Sequence, residues 1–92
     1  MPHESHHAGY LLSDDPARLD VTAIHAFLTT SYWAAGIPRD IVARSITNSL
    51  CIGVYAPDGA QVGLVRVITD YATFAYLCDA YILEPHRGRG LS

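Results

Sequence analysis

The residues with the most evident chemistry lie near the C-terminal end of the chain, where an apolar segment leads into Glu84-Pro85-His86-Arg87-Gly88-Arg89-Gly90-Leu91-Ser92. A strand, a glycine-rich turn and the start of a helix can bind phosphate together, because backbone N–H groups converge on an anion there. Gly88 and Gly90 allow positive φ and a close approach of the backbone. Arg87 and Arg89 could add charge-assisted hydrogen bonds, or they could be two solvated arginines on an exposed turn. The run predicts an anion-binding turn at residues 87–92.

The cysteines and the N-terminal histidines offer weaker chemistry. Cys51 and Cys78 lie in no CxxC or spaced metal-ligand pattern, so we expect a reduced pair of thiols. His3, His6 and His7 lie in a polar terminal segment, where disorder is more common than a metal site. The sequence therefore predicts no metal site and a disordered tail over residues 1–8.

Two helices are predicted in the first half of the chain. The first begins after Asp20, whose carboxylate can accept a free helix N–H, and ends at Gly36. Its inner face is formed by residues at helical spacing, namely Ile24, Phe27, Leu28, Ser31 and Tyr32, whereas His25 should face solvent. Pro38 is the predicted first residue of the second helix, because its missing N–H would be unpaired there. That helix should face inward through Ile41, Val42, Ser45 and Ile46.

The remaining elements are predicted strands: a short one at Tyr10-Leu11-Leu12, then Leu50 to Tyr55, Val62 to Thr69, and Phe74 to Leu83. Pro57-Asp58-Gly59 has the chemistry of a tight turn, and a loop is expected at Asp70 to Thr73. The order β-α-α-β-β-β predicts one α+β domain, with an antiparallel sheet of about four strands and two helices on one face. Cys51 and Cys78 then lie on strands separated by a third, about 9–10 Å apart and beyond disulfide reach.

Composition restricts the classes of partner. The 92 residues allow one small domain, and the net charge is −3 with no lysine. We expect no nucleic-acid partner, because no basic stripe is present. No apolar run is long enough for a membrane span, and the N-terminus lacks a signal peptide, so we expect a cytoplasmic protein with no membrane partner.

The run from Ala80 to Leu91 resembles the acetyl-CoA-binding signature of the GNAT family of N-acetyltransferases, Gln/Arg-x-x-Gly-x-Gly/Ala after the fourth strand. Arg87, Gly90 and Ser92 fall on its defined positions, with Ser92 in place of Gly or Ala. The element order also matches the N-terminal half of that fold. Two competing phosphate motifs fail, because a P-loop needs a lysine and a dinucleotide fingerprint needs GxGxxG in a parallel βαβ unit.

The resemblance implies a binding mode for acetyl-CoA. Its pantetheine would lie along the fourth strand, hydrogen-bonded to backbone of Ala80, Tyr81, Ile82 and Leu83. Its diphosphate would lie on the backbone amides of Arg87, Gly88, Arg89, Gly90, Leu91 and Ser92. In such enzymes a neutral amine, small molecule or peptide, attacks the thioester directly, which requires removal of a proton from an ammonium group.

The resemblance also directs attention to candidate residues for catalysis and acceptor binding. Asp79 is the first candidate base, because a carboxylate that interrupts an apolar strand needs a reason. It could equally lie at the wet edge of the strand or satisfy a bulge. Tyr81 and Glu84 follow as catalytic candidates. Tyr32, Trp33 and Tyr71 are candidates for the wall of the acceptor site, with core packing as the alternative for Trp33.

Because the sequence stops within the motif, we expect an incomplete family fold. The last strand would then be a bare edge, and such edges tend to pair. We therefore expect a homodimer that forms through the last strand or the open sheet face. The alternative to an N-acetyltransferase is a catalytically inactive remnant that acts as a dimerisation or interaction module.

Overall fold

The structure is a computed structural model that describes residues 3–87. Its five strands and two helices are β1 Glu4–His7, β2 Tyr10–Ser13, α1 Val21–Leu28, α2 Arg39–Thr47, β3 Leu50–Tyr55, β4 Gln61–Thr69 and β5 Ala75–Ile82. The strands form one antiparallel sheet in the order β1-β2-β3-β4-β5. The predicted α+β class and the two helices are confirmed, but the sheet has five strands rather than about four.

The additional strand, β1, corrects the prediction of a disordered tail over residues 1–8. Glu4–His7 pairs in register with Tyr10–Ser13. Ala8 and Gly9 join the two strands and have φ values of 52° and 84°, the left-handed conformations that a tight hairpin turn requires. The tail prediction was wrong for these four residues because polar composition carries no information about cross-strand pairing.

The helices begin close to where the sequence predicts them. The Asp20 carboxylate accepts a hydrogen bond from the backbone N–H of Ala23 at 3.0 Å, which satisfies a donor left free by the first turn. Pro38 directly precedes α2 and is its N-cap, one position before the predicted role. The proline still lies where its missing N–H costs nothing.

The first helix ends at Leu28, well before the predicted stop at Gly36. The hydroxyl of Thr30 donates to the carbonyl of Phe27 at 2.8 Å, and that of Ser31 donates to the carbonyl of Leu28 at 2.7 Å. Such hydroxyls compete with the helical N–H groups for these carbonyls. The chain therefore leaves the helix early, and residues 29–38 form the α1–α2 loop.

One side chain of α1 also holds this loop. The Nε2 atom of His25 donates to the backbone carbonyl of Ile37 at 2.9 Å. His25 is only partly exposed, so the prediction that it faces solvent was wrong. The imidazole is drawn toward the loop because the early end of the helix brings a carbonyl within its reach.

Both faces of the sheet carry apolar residues. The helix-covered face holds the larger core, made of Ile24, Leu28, Val42, Ile46, Cys51 and Leu64. On the opposite face a smaller cluster consists of Tyr10, Val54, Ala56 and Val62, packed with Leu12, Ile82 and Leu83. As predicted, the two cysteines are free and lie on β3 and β5, with β4 between them.

Candidate functional site

The candidate site is built on β5, the outer strand of the sheet within residues 3–87. Arg66 of β4 pairs with Asp79, but the next residue, Val67, pairs with Leu77. Cys78 is thus the extra residue of a β-bulge. A bulge bends its strand and turns the neighbouring side chains, and here it lies directly before Asp79.

Beyond the bulge, the free edge of β5 exposes backbone groups of alternate residues. The N–H of Leu83 donates to the carbonyl of Val62 at 2.8 Å, and Tyr81 pairs with Leu64 in the same register. In an antiparallel ladder the residues between such pairs direct their N–H and C=O groups away from the partner strand. The backbone of Ala80 and Ile82 therefore faces outward, whereas that of Tyr81 and Leu83 faces β4. Of the four residues predicted to bind a cofactor through their backbone, two therefore have outward-facing N–H and C=O groups and two have these groups directed at β4.

The carboxylate of Asp79 is held by two donors and is 6% exposed as a residue. Its Oδ1 atom accepts a hydrogen bond from Trp33 Nε1 at 2.8 Å, and its Oδ2 atom accepts one from Arg66 Nε at 2.6 Å. The same guanidinium donates to the hydroxyl of Ser49 at 3.1 Å. That hydroxyl donates to the carbonyl of Ser45 in α2 at 2.7 Å. We call Trp33, Asp79, Arg66 and Ser49 the Asp79 network.

An aromatic row runs from the core to the surface beside this network. The Tyr81 ring stacks on Phe27 with centroids 3.8 Å apart and planes 6° apart. Trp33 lies 6.0 Å from Phe27, and Tyr32 lies edge-on to Trp33 at 5.2 Å. Exposure rises along the row to 44% for Trp33 and 94% for Tyr32. The prediction that Tyr32 lies on the inner helical face was wrong, because α1 ends before it.

Burial affects the chemistry of Tyr81. Desolvation raises the pKa of its hydroxyl well above the ordinary value, and the neighbouring negative charge of Asp79 adds to the effect. The phenol is therefore neutral at physiological pH. In that state it can donate a hydrogen bond to developing negative charge, and it is a poor candidate for a base.

Tyr71 lies apart from this row. It belongs to the β4–β5 loop, beyond the last pair of the ladder, Thr69 and Ala75, and it is 76% exposed with a φ of 64°. Asp70 organises this loop by accepting hydrogen bonds from the hydroxyl of Thr73 and three backbone N–H groups. These bonds lower the pKa of the Asp70 carboxyl. The structure thus brings Tyr32 and Trp33 together and places Tyr71 on another element.

The segment after β5 is tied to two strands. Glu84 begins a short 3₁₀ turn and is exposed, five residues beyond Asp79 along the chain. His86 Nδ1 lies 2.7 Å from the hydroxyl of Tyr10 in β2. Arg87 Nε donates to the outward-facing carbonyl of Ile82 at 2.7 Å. The predicted phosphate contacts of Gly88, Arg89, Gly90, Leu91 and Ser92 lie outside the described residues.

Sequence reasoning missed the partners of Asp79 and Tyr81. Arg66 is an isolated charge in the apolar segment Val62 to Thr69, and Asp79 is an isolated charge in the next strand. Two opposite charges in adjacent apolar strands are a usable signal for a buried pair. Phe27 was assigned to the inner face of α1, but nothing in its spacing indicated a stack on Tyr81.

Residues 3–87 contain neither a cluster of metal-binding side chains nor a membrane-spanning helix. No group of three or more His, Cys, Asp or Glu side chains lies close enough to hold a metal ion. No helix in that range has both the length and the apolar character needed to cross a membrane.

This chain is similar to proteins of known sequence and to proteins of known structure. A curated protein of Gibberella zeae named "Putative acetyltransferase" is 40% identical to this chain, in an alignment that covers 88% of this chain and 56% of that protein. A crystal structure from Xanthomonas campestris pv. campestris, described as a putative acetyltransferase belonging to the GNAT family, has a TM-score of 0.87 and 46% identity. That match covers 92% of this chain and 60% of the other. No protein-family model matches. The chain thus spans little more than half the length of these relatives.

Proposed function

We propose that this chain, which belongs to the GNAT family of N-acetyltransferases, contributes to transfer of an acetyl group from acetyl-CoA to an amine by direct attack. The observation that carries the proposal is the outer edge of β5 within residues 3–87, where the backbone of Ala80 and Ile82 faces away from β4. An extended ligand with amide groups can pair with such an edge as an added strand.

The free edge fits the pantetheine part of acetyl-CoA, which carries two amides in an extended arm. Ala80 offers an N–H and a C=O, and Ile82 offers an N–H, since its carbonyl already accepts a hydrogen bond from Arg87. The diphosphate would follow on the amides of residues 87–92, as the motif implies. Bound there, acetyl-CoA supplies the activated acetyl group, and the strand fixes its direction.

The residues of the helix-covered face are proposed to serve the acceptor side. Trp33 and Tyr32 form an exposed aromatic wall over β5, and a small-molecule or peptide amine would contact it. The neutral Tyr81 hydroxyl would donate a hydrogen bond to developing negative charge. Glu84 is also proposed to accept a proton, acting through water. It lies at the end of β5 where the diphosphate would bind, so the water would have to bridge to the acceptor amine.

An interaction module is the second candidate function, and it also has support. Ile68, Phe74, Tyr76 and Leu77 are 46–60% exposed, and clustered exposed apolar residues often mark an interface. A homodimer that paired two copies of β5 would use the same backbone groups as acetyl-CoA. The two functions would therefore compete for one edge, and acetyl-CoA should dissociate such a dimer. We further propose a cytoplasmic location and no nucleic-acid partner.

Acetyl transfer can be tested by thiol release in the full-length protein. Acetyl-CoA is supplied with a panel of primary amines and peptides, and acetylated product is identified by mass spectrometry. Tyr81→Phe should lower kcat, because it removes a hydroxyl and retains the ring stacked on Phe27. Tyr76→Phe is the matched control, since it makes the same change at an exposed position of the same strand. Absence of product with every amine, together with a dimer that acetyl-CoA does not dissociate, would favour the module.

A further inference from the structure

We infer that Asp79 is a positioning residue: its carboxylate holds the α1–α2 loop against β5 through the indole of Trp33, and Arg66 fixes its orientation. The expected effect of Asp79 on enzyme kinetics rests on the proposed acetyl transfer. Its expected effect on the position of the α1–α2 loop does not, because that effect concerns only contacts between residues of this chain. Asp79 was a candidate base in the sequence, and the inferred role is a different one.

The α1–α2 loop is irregular, and the hydrogen bonds at its two ends are local, so they do not fix its position against the sheet. The N–H of Gly36 donates to the carbonyl of Thr29 at 3.0 Å, which closes the loop on itself. The bond from His25 to Ile37 then ties its far end to α1. Neither bond reaches the sheet. Ala34 and Ile37 of the loop pack against the core, and Trp33 adds a hydrogen bond from its ring nitrogen to Asp79, the residue directly after the bulge of β5.

The Asp79 carboxylate is well suited to hold an indole and poorly placed to meet an acceptor. Its side chain is 5% exposed, and each oxygen already accepts one hydrogen bond from a protein donor. An amine could reach it only if Trp33 moved away. The groups that the acceptor would meet are Trp33 and Tyr32, which are 44% and 94% exposed. Asp79 therefore acts on the acceptor side through Trp33.

Arg66 pairs with the Asp79 carboxylate and fixes its orientation. A buried carboxylate without a partner is strongly destabilised, and the Arg66 side chain, 17% exposed, supplies a charge at 2.6 Å. Arg66 is in turn fixed by Ser49, whose hydroxyl is bonded to α2. The Asp79 network thus joins α2, β4, β5 and the α1–α2 loop in one chain of hydrogen bonds. A displacement of the Asp79 carboxylate would therefore also displace the Trp33 indole.

The loop position can be measured without any activity, because Trp33 is the only tryptophan in the chain. In the full-length protein, with any further tryptophans replaced, Asp79→Ala should shift the Trp33 emission to the red and increase its quenching by acrylamide. Asp79→Asn should change both less, since its amide oxygen can still accept the indole N–H. Asp40→Ala, at an exposed position in the first turn of α2, is the matched control and should change neither. Unaltered emission and quenching in Asp79→Ala would overturn the inference.

Kinetics separate a positioning role from a base. Trp33→Phe removes the indole donor without leaving a charge unpaired, so it should fold even if Asp79→Ala does not. We expect it to raise KM for the amine by roughly 3- to 10-fold, the loss of one hydrogen bond, with a smaller effect on KM for acetyl-CoA. Asp79→Asn should retain more kcat than Asp79→Ala. Equal loss of kcat in both, with an unchanged KM for the amine, would identify Asp79 as the base and refute the inference. No turnover in the wild-type protein would refute the proposed function alone, because the fluorescence test would still decide the inference.

Discussion

Replacement of Ala80 by proline is the most selective perturbation of the proposed acetyl-CoA site. Ala80 is exposed, and its N–H faces away from β4. Proline removes a backbone N–H and is tolerated on edge strands where that N–H faces solvent. Ala80→Pro should therefore leave the β4–β5 ladder intact and remove one hydrogen-bond donor for acetyl-CoA.

The expected magnitude follows from the loss of a single bond. One hydrogen bond contributes about 0.5–1.5 kcal/mol net, and about 1.4 kcal/mol corresponds to a tenfold change in affinity. The Kd for acetyl-CoA should thus rise between roughly 2-fold and 13-fold. A much larger loss would indicate that the strand itself had been disrupted.

Isothermal titration calorimetry with acetyl-CoA measures this change. Ala80→Gly is the control, since it also changes the side chain at this position but retains the N–H, and its Kd should stay near the wild-type value. Tyr81→Pro removes an N–H that faces β4, so it should lower the thermal unfolding midpoint where Ala80→Pro does not. An unchanged Kd in a folded Ala80→Pro protein would refute the assignment of the pantetheine to this edge.

Three further predictions concern buried or strongly bonded groups. Within residues 3–87 the hydroxyl of Tyr55 is buried without a hydrogen-bond partner, so Tyr55→Phe should increase the free energy of unfolding by about 1 kcal/mol; a lower urea midpoint would contradict this. Burial raises the pKa of the Cys51 thiol to about 11, so a thiol reagent should modify Cys78 in the native protein and Cys51 only on unfolding, whereas equal rates would speak against the burial of Cys51. Hydrogen bonds hold the pKa of Asp70 below its ordinary 3.8, so its contribution to stability is present above about pH 4 and is lost as the pH falls further. Asp70→Asn should reduce that acid dependence in urea unfolding curves, and an unchanged slope would argue against these bonds.

Local patterns predicted the elements whose causes are local. Asp20 and Pro38 mark the starts of the helices because a cap acts on the first turn alone. The turn at Pro57 to Gly59 is confirmed for a similar reason: Gly59 has a φ of 92°, and Asp58 accepts the N–H of Ala60 at 3.0 Å. These features need no knowledge of the rest of the fold.

The errors arise where a distant or competing contact decides the outcome. The inner-face spacing continues through Ser31 and Tyr32, but hydroxyl groups bonded to the last carbonyls end α1 at Leu28. Strand β1 depends on pairing with β2, which polar composition does not reveal. The Asp79 network joins residues 13 and 46 positions apart in sequence. It also requires a bulge, so register rather than residue type determines which side chains meet.

Acetyl-CoA is proposed to bind along the outer edge of β5. A titration of acetyl-CoA into ¹⁵N-labelled protein, followed by amide chemical shifts, shows whether it binds there. We expect saturable shifts at Ala80, Ile82 and Arg87, with little change in Glu4–His7 at the opposite edge of the sheet. Absence of saturation, or shifts that leave the amides of β5 unmoved, would contradict the claim.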